Sequence, residues 1–281
     1  MRSGYNSVVR FLDGAGNRRW GIPTDGTLQF ARVIEADLFS DSTRRASVEA
    51  NGNVEVVRKI LPPLENEVPP AVFCIGLNYR KHAAETNMKI PRYPIVLMKN
   101  PAAVCAHLDE IEIPPCASDD IIDYEAELAL VIGKETKNVS PDEALDYVLG
   151  YTTANDVSAR KWQGKKGGGQ WCRSKSFDTF LPLGPELLLD CENPNALDLR
   201  TRVNGVTLQD SNTSDMIFSV AEIVSFLSQG TTLLPGTVVL TGTPEGVGYT
   251  REPRIFLKKG DEVEVGLGDA TPLQNRVAGP L

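Results

Sequence analysis

The chain has 281 residues, of which 41% are apolar and 23% charged, and its formal net charge is −8. This composition is typical of a globular protein and excludes collagen-like, mucin-like and wholly disordered chains. The negative charge argues against nucleic acid or an anionic membrane as a partner, because both are polyanions. No apolar stretch is long enough to span a bilayer, so no membrane association is expected.

The cysteines and the N-terminus favour an intracellular protein. The five cysteines form no CxxC pair, which is typical of reduced thiols. Arginines interrupt the N-terminal segment, so no secretory signal is predicted. Residues 1–7 are short and only mildly basic, which leaves the choice between cytoplasm and mitochondrion open.

The first 66 residues are predicted to form a small N-terminal domain that packs on a larger domain, residues 67–281. Residues 8–11 and 19–22 have the pattern of two strands around a glycine-rich turn, and residues 53–60 are predicted to form a short helix. Four prolines lie between residues 61 and 70. Because proline suits neither a helix nor a central strand, this segment is expected to be an extended connection.

Beyond residue 70 most patterns indicate strands. Two capping boxes, which begin at Ser140 and Ser219, start helices that Gly150 and Gly230 are expected to end. Many short strands with scattered helices lack the strict alternation of a doubly wound fold. The sequence therefore predicts an α+β fold dominated by β-structure. The predicted strands are 71–75, 95–99, 111–114, 125–132, 151–154, 187–189, 237–241 and 262–265.

Carboxylates occupy alternate positions, Asp123, Glu125 and Glu127, before the apolar run 128–132. In a strand these side chains point the same way. Acids at a buried strand end repel one another unless a cation compensates them, and their oxygens suit Mg²⁺, Mn²⁺ or Ca²⁺. Asp156, after strand 151–154, is a candidate third ligand. Taken alone, the pattern favours the alternative of a solvated strand edge, with Asp156 as a helix N-cap or turn residue.

Two further segments carry candidate functional groups. If residues 76–85 are helical, His82 and Glu85 share one face and form an acid–base dyad; spacing alone favours a surface His–Glu pair. Lys175 is a candidate partner for a substrate carboxylate, although a lone lysine is ordinarily a solvated surface group. The segment 241–248 is either a tight hairpin turn or a loop whose amides hold an anionic oxygen.

In combination and order, these segments resemble the fumarylacetoacetate hydrolase family. The similar stretch runs from residue 75 to residue 265, about two thirds of the chain. Within the family, the segments 169–171, 175–180, 211–213 and 256–261 are most similar to the branch called fumarylacetoacetate hydrolase domain-containing protein two. The segments that carry the family resemblance are GLNY at 76–79 with His82 and Glu85, DYEAELALVIG at 123–133, NDVSARKWQ at 155–163, SKSFDTF at 174–180, VNG at 203–205 and LTGTPEGVG at 240–248.

The resemblance implies a fold built on a mixed β-roll with a small N-terminal domain, usually assembled as a homodimer. It implies that Glu125, Glu127 and Asp156 hold Mg²⁺ or Mn²⁺. It also implies that His82 and Glu85 are a water-activating dyad on a segment that orders as a lid.

The resemblance places further residues at the substrate. Lys175 is implied to lie near it, and Gln163 and Thr243 to touch its carboxylate or oxo oxygens. One departure is Lys161, where the family commonly has aspartate, followed by the glycine-rich segment 164–169. Both adjoin the implied pocket, so the exact specificity is left open.

The family acts on 2-oxo acids and 1,3-dicarbonyls, by acylpyruvate hydrolysis, oxaloacetate decarboxylation or keto–enol tautomerisation. All three reactions pass through an enolate, which a hard cation stabilises. The sequence therefore predicts a metal-dependent enzyme acting on small 2-oxo acids, with oxaloacetate tautomerisation or decarboxylation first. The alternatives are an acylpyruvate C–C hydrolase, whose larger substrate the segment 161–169 would have to admit, and a catalytically silent metal-binding scaffold.

Overall fold

The structure, a computed structural model, describes residues 7–24, 26–35, 37–39, 52–66, 68–118 and 121–279. Residues 1–6, which bear on the compartment, lie outside the described residues. The strands are β1 Ser7–Leu12, β2 Arg18–Pro23, β3 Phe30–Ile34, β4 Val54–Val56, β5 Lys59–Leu61, β6 Val72–Gly76, β7 Ile95–Lys99, β8 Val104–Cys105, β9 Glu110–Glu112, β10 Ile122–Asp123, β11 Ala126–Ile132, β12 Val148–Asn155, β13 Ser158–Ala159, β14 Leu181–Pro182, β15 Glu186–Leu188, β16 Asp198–Val203, β17 Val206–Asn212, β18 Val238–Leu240, β19 Glu262–Leu267 and β20 Leu273–Ala278. The α-helices are α1 Arg80–Glu85, α2 Pro141–Ala144, α3 Arg160–Gln163, α4 Trp171–Lys175 and α5 Val220–Ser228.

Two sheets dominate the fold. The larger has 11 strands in the order β4-β3-β2-β1-β15-β12-β11-β18-β6-β7, with β5 paired to β1. Neighbouring strands in this sheet run antiparallel, except for β18 and β6, which run parallel. The second sheet has five strands in the order β17-β16-β19-β20-β9. The prediction of a β-dominated fold with mixed sheets is confirmed.

Strand β11 lies at the centre of the core, because both of its faces are buried. Leu128, Leu130 and Ile132 pack between the two sheets with side chains of β16 and β19. Ala129 and Val131 pack on the opposite face of the larger sheet. Burial of a large apolar side chain contributes about 1.5–3 kcal/mol, so this strand is held firmly. It can therefore carry charged residues at its end without being displaced.

The N-terminal strands extend the larger sheet, because β1 pairs with β15 and brings Val8 opposite Leu187. Val8 and Leu64 belong to the same apolar cluster as side chains of β6 and β11. The division into residues 1–66 and 67–281 stays a prediction, and Glu67, where the second domain was placed to begin, lies outside the described residues.

The helix predicted at 53–60 is wrong, because this segment forms strands β4 and β5. Val56 of β4 pairs with Phe30, and Ile60 of β5 pairs with Phe11. Sheet pairing with distant segments decides the conformation here, and local sequence cannot report that pairing.

The two capping boxes have different outcomes. The helix expected after Ser219 is α5, and Gly230 follows it with a φ of +69°. Helix α2 ends at Ala144, however, and Gly150 lies inside strand β12. A Cβ at Gly150 would lie 2.7 Å from the carbonyl oxygen of Leu188. Gly150 therefore permits close approach of two strands, and its prediction as a helix end is wrong.

The capping box of α5 gives a stability prediction. The Ser219 hydroxyl accepts from the Glu222 amide, and the Glu222 carboxylate accepts from the Ser219 amide at 2.7 Å. Ser219→Ala should lower the free energy of unfolding by about 1 kcal/mol. Urea denaturation followed by circular dichroism measures the loss. Ser219→Thr keeps the hydroxyl and is the control; equal losses for the two variants would contradict the capping role.

Candidate active site

Pairing of β11 with β12 brings the predicted metal ligands together. Ala126 is registered with Asn155, so Glu125 and Asp156 flank the same end of the strand pair. The Asp156 amide donates to the Glu125 carbonyl at 2.8 Å. One carboxylate oxygen from each of Glu125, Glu127 and Asp156 lies within 4.8 Å of the others, and all three residues are buried. These three residues are called the carboxylate cluster below.

Three cations contact two members of the carboxylate cluster. Lys99 donates from Nζ to Asp156 Oδ1 at 2.5 Å. Lys175 donates to Asp156 Oδ2 at 2.6 Å and to Glu125 Oε2 at 2.8 Å. Arg160 Nη1 lies 2.6 Å from Glu125 Oε1. Burial alone would raise the pKa of Glu125, but Lys175 and Arg160 outweigh it and lower that pKa to about 2.

Glu127 has no cationic partner within hydrogen-bond distance among the described residues. It accepts one hydrogen bond, from the Gly242 amide at 2.5 Å. Burial, followed by the charges of Asp156 and Glu125, raises its pKa well above the ordinary value. A cation bound at the cluster would remove this unfavourable interaction, and three carboxylates form a hard oxygen donor set. The residues present therefore fit a divalent ion such as Mg²⁺ or Mn²⁺.

Asp123 lies apart from the carboxylate cluster, because the chain is not in strand conformation between β10 and β11. Its carboxylate accepts from Arg160 Nε at 2.8 Å and from the amides of Gly248 and Tyr249 at 2.7 and 3.0 Å. The expectation that Asp123 groups with the two following acids is therefore wrong. It instead holds Arg160 against the cluster.

Helix α1 carries the His82–Glu85 pair. His82 Nδ1 lies 2.6 Å from Glu85 Oε1, and the two side chains are 14% and 24% exposed. The Gly246 amide also donates to the Glu85 carboxylate, at 3.1 Å to Oε2. Although burial acts in the opposite direction, the hydrogen bonds from His82 and Gly246 lower the pKa of Glu85. The charge of His82 also contributes to the low pKa of Glu125. As whole residues, His82 is half-buried and Glu85 is exposed, and the role of the pair as an acid–base dyad stays a prediction.

The loop 241–248 contacts three of the acidic groups described above. Its amides at Gly242, Gly246 and Gly248 donate to Glu127, Glu85 and Asp123 respectively. The loop is neither a hairpin turn nor free for an external anion at these three amides. A Cβ at Gly248 would lie 1.8 Å from the carbonyl oxygen of Ile255, so only glycine fits there.

Three residues predicted at the substrate are placed as follows. Lys175, at the end of α4, is buried, so the alternative of a solvated lysine is wrong. Burial would lower its pKa, but Asp156 and Glu125 raise it above the ordinary value, and the ammonium is charged. Gln163 accepts from Arg160 at 3.0 Å, while its buried Nε2 has no hydrogen-bond partner among the described residues. Thr243 follows Gly242 and is buried.

Other predicted features lie outside the cluster. Lys161 is exposed on α3, and the segment 164–169 is mostly exposed, with a short 3₁₀ helix at Lys165–Gly167. His107, the other histidine of the chain, accepts from the Gln274 amide at 3.1 Å.

Sequence reasoning missed Lys99 and the contact that Arg160 makes with the cluster. Lys99 ends β7, 57 positions from Asp156, and nothing in the local sequence connects the two. The contact of Arg160 with the cluster could have been predicted, because Arg160 lies four positions after Asp156 at the start of a short helix.

Comparison with known proteins decides the family. The model of the family described as "Fumarylacetoacetate (FAA) hydrolase C-terminal" matches residues 71–278. The chain belongs to the fumarylacetoacetate hydrolase family. It is an enzyme of this family, and the carboxylate cluster and the His82–Glu85 pair lie inside the matched region. None of the described helices is long and apolar enough to cross a membrane.

Relatives within the fumarylacetoacetate hydrolase family support the predicted branch. The chain is 46% identical to a fumarylacetoacetate hydrolase domain-containing protein 2 homolog of Dictyostelium discoideum, over 78% of this chain and 74% of that protein. It is 44% identical to the Bos taurus protein named oxaloacetate tautomerase FAHD2A, mitochondrial, over 87% of this chain and 83% of that protein. A solved 5-carboxymethyl-2-hydroxymuconate delta-isomerase from Mycobacterium smegmatis has a TM-score of 0.81 at 31% identity, with 97% of this chain and 99% of that one covered.

The tight packing at Gly248 gives a second stability prediction. Gly248→Ala should lower the free energy of unfolding by about 1–3 kcal/mol, because the added methyl overlaps backbone atoms. Gly266→Ala is the matched control, since a Cβ at Gly266 meets no atom within 4 Å. Thermal and urea unfolding measure both changes. A loss for Gly248→Ala no larger than for the control would show that the loop tolerates a side chain.

Proposed function

We propose that this chain is a divalent-metal-dependent keto–enol tautomerase whose substrate is oxaloacetate. The observation that carries the proposal is the buried carboxylate cluster, together with the hydrogen-bonded His82–Glu85 pair on helix α1. This arrangement combines a hard-cation site with a proton-transfer group, which are the two requirements for moving a proton next to a carbonyl. The name of the Bos taurus relative supports oxaloacetate as the substrate.

Glu125, Glu127 and Asp156 would hold the ion, with Mg²⁺ or Mn²⁺ preferred and Ca²⁺ also suited to oxygen ligands. When bound, such an ion polarises a 2-oxo carbonyl and stabilises negative charge on its oxygen. Lys175 adds a fixed positive charge beside two of the ligands. We propose that this charge helps to retain an anionic substrate.

The His82–Glu85 pair would move the proton. The Glu85 carboxylate is hydrogen-bonded to Nδ1 of His82, so Nε2 is the ring atom that exchanges protons with the substrate. In tautomerisation, the C3–H bond breaks and an O–H bond forms, so one proton carrier suffices and no water is consumed. Gln163 and Thr243 would orient the substrate through its carboxylate or oxo oxygens. Within the described part of the chain, the buried Nε2 of Gln163 has no hydrogen-bond partner, so it is available for such a contact.

A second candidate is hydrolysis of the C–C bond of an acylpyruvate. The same His82–Glu85 pair, with Glu85 held by both His82 and the Gly246 amide, is suited to activating a water molecule. The description of the matching family model supports hydrolysis. Decarboxylation of oxaloacetate and a silent metal-binding scaffold are further outcomes of the test below. A homodimer and a cytoplasmic or mitochondrial location stay predictions.

The first test measures oxaloacetate chemistry directly. Metal-stripped protein is mixed with oxaloacetate, with and without Mg²⁺, while enol absorbance and pyruvate release are recorded together. Faster enol–keto relaxation without extra pyruvate is the expected result. Mg²⁺-dependent pyruvate formation would instead identify a decarboxylase. If neither signal changes, cleavage of acylpyruvates is assayed next, and its absence would favour the scaffold.

A pair of variants separates metal binding from proton transfer. His82→Ala should slow turnover by about 100-fold or more, because general acid–base catalysis is lost, while Mn²⁺ affinity measured by electron paramagnetic resonance stays unchanged. Asp156→Asn should weaken Mn²⁺ binding by about tenfold or more, because even partners outside the ligand shell contribute that much.

The matched control is His107→Ala, which removes the other histidine of the chain and should leave turnover and Mn²⁺ binding unchanged. A normal rate for His82→Ala would exclude the dyad. Normal Mn²⁺ binding by Asp156→Asn would exclude that residue from the metal site.

A further inference from the structure

Gln209 of β17 is buried, and its carboxamide makes four hydrogen bonds. Its Oε1 accepts from the Ala126 amide at 2.9 Å and from the Thr201 hydroxyl at 2.8 Å. Its Nε2 donates to the Thr243 hydroxyl oxygen at 2.9 Å and to the Pro244 carbonyl at 3.1 Å. One side chain thus connects the acidic end of β11 to the loop 241–248.

The orientation of the Gln209 amide follows from its partners. The amide of Ala126 can only donate, and the carbonyl of Pro244 can only accept. Exchanging the oxygen and nitrogen of Gln209 would place two donors together at Ala126 and two acceptors together at Pro244. Gln209 Nε2 therefore faces Thr243, and the Thr243 oxygen is an acceptor in that hydrogen bond.

The hydrogen bond from Gln209 determines which part of the Thr243 hydroxyl remains available to a ligand. Its oxygen accepts from Gln209, while its own hydrogen has no acceptor within the part of the chain that the structure describes. Thr243 is one residue from Gly242, whose amide contacts Glu127. A free hydroxyl hydrogen beside the carboxylate cluster is therefore available to an oxygen of a bound anion.

We infer that Gln209 is a positioning residue that makes the Thr243 hydroxyl a hydrogen-bond donor to the carboxylate or oxo oxygen of a bound 2-oxo acid. The inference rests on the proposed function, because it takes a 2-oxo acid as the ligand near Thr243. Gln209 itself does not touch the substrate. Its bond to Ala126, the residue between Glu125 and Glu127, fixes the distance between this donor and the carboxylate cluster.

The test measures binding of oxalate, a planar dianion with two adjacent carboxylates, by calorimetry in the presence of Mg²⁺. Gln209→Glu should weaken oxalate binding by about tenfold, the effect of one hydrogen bond to a charged group. The new carboxylate accepts a hydrogen bond from the Thr243 hydroxyl. The hydroxyl hydrogen then points toward residue 209 and no longer toward the ligand. Gln209→Met places no charge in the core and should also weaken binding, because the hydroxyl loses its orientation.

A double-mutant cycle distinguishes this role from a general structural one. Thr243→Val should weaken oxalate binding about as much as Gln209→Met, and combining the two should cause no further loss. A loss that adds in the double variant, or oxalate binding like wild type by both Gln209 variants, would overturn the assignment. Mn²⁺ affinity of Gln209→Met and Thr243→Val should equal that of the wild-type protein.

Controls keep the test decisive. Thr201→Val removes a hydrogen bond on the side of Gln209 away from Thr243 and should leave oxalate binding unchanged. If the Gln209 variants do not fold, oxalate binding is compared between Thr243→Ser and Thr243→Val, since only serine keeps the hydroxyl. Equal oxalate binding by these two variants overturns the inference. Failure of the folded wild-type protein to bind oxalate overturns the proposed substrate class, and this inference with it.

Discussion

The antiparallel pairing of β11 with β12 is the constraint on which the rest of the site depends. Both strands are buried along their length, and their shared end carries Glu125, Glu127 and Asp156 into the interior. Charged groups are costly to bury unless they are compensated. With Asp123 included, the described residues place four carboxyl groups against three cations there, and burial together with this shortage of positive charge raises the pKa of Glu127. A divalent cation held by the carboxylate cluster, as we propose, would compensate this shortage.

The loop 241–248 connects the elements that must act together. Its amides hold Glu127, Glu85 and Asp123, and its carbonyl at Thr241 accepts from Asn78, just before helix α1, at 2.7 Å. Glu127 of the carboxylate cluster and Glu85 of the His82–Glu85 pair are therefore held by the same loop. Such sharing suits a reaction in which the proton carrier must stay within about 3 Å of the reacting atom.

Sequence reasoning succeeded where chemistry and pattern coincide within a short segment. The apolar run after Glu127 identified a buried strand, and the spacing of His82 and Glu85 identified a helical pair that the structure brings to 2.6 Å. It failed where a contact with a residue distant in the sequence determines the local structure. Strand pairing overrides the helix expected at 53–60, and Gly150 serves strand contact instead of ending a helix. Lys175, which looks like a surface residue, is buried only because two distant carboxylates pair with it.

The sequence by itself determined the family, the β-dominated class and the candidate ligands, because these depend on residue types at short, ordered spacings. Only the tertiary structure decided that Asp123 stands apart from the cluster, that Lys99 and Arg160 support it, and that Gln209 links it to Thr243. These contacts join residues from 34 to 83 positions apart. Their existence depends on strand pairing and burial, which no local pattern encodes, because the free energy of each contact arises only when separate segments meet in the core.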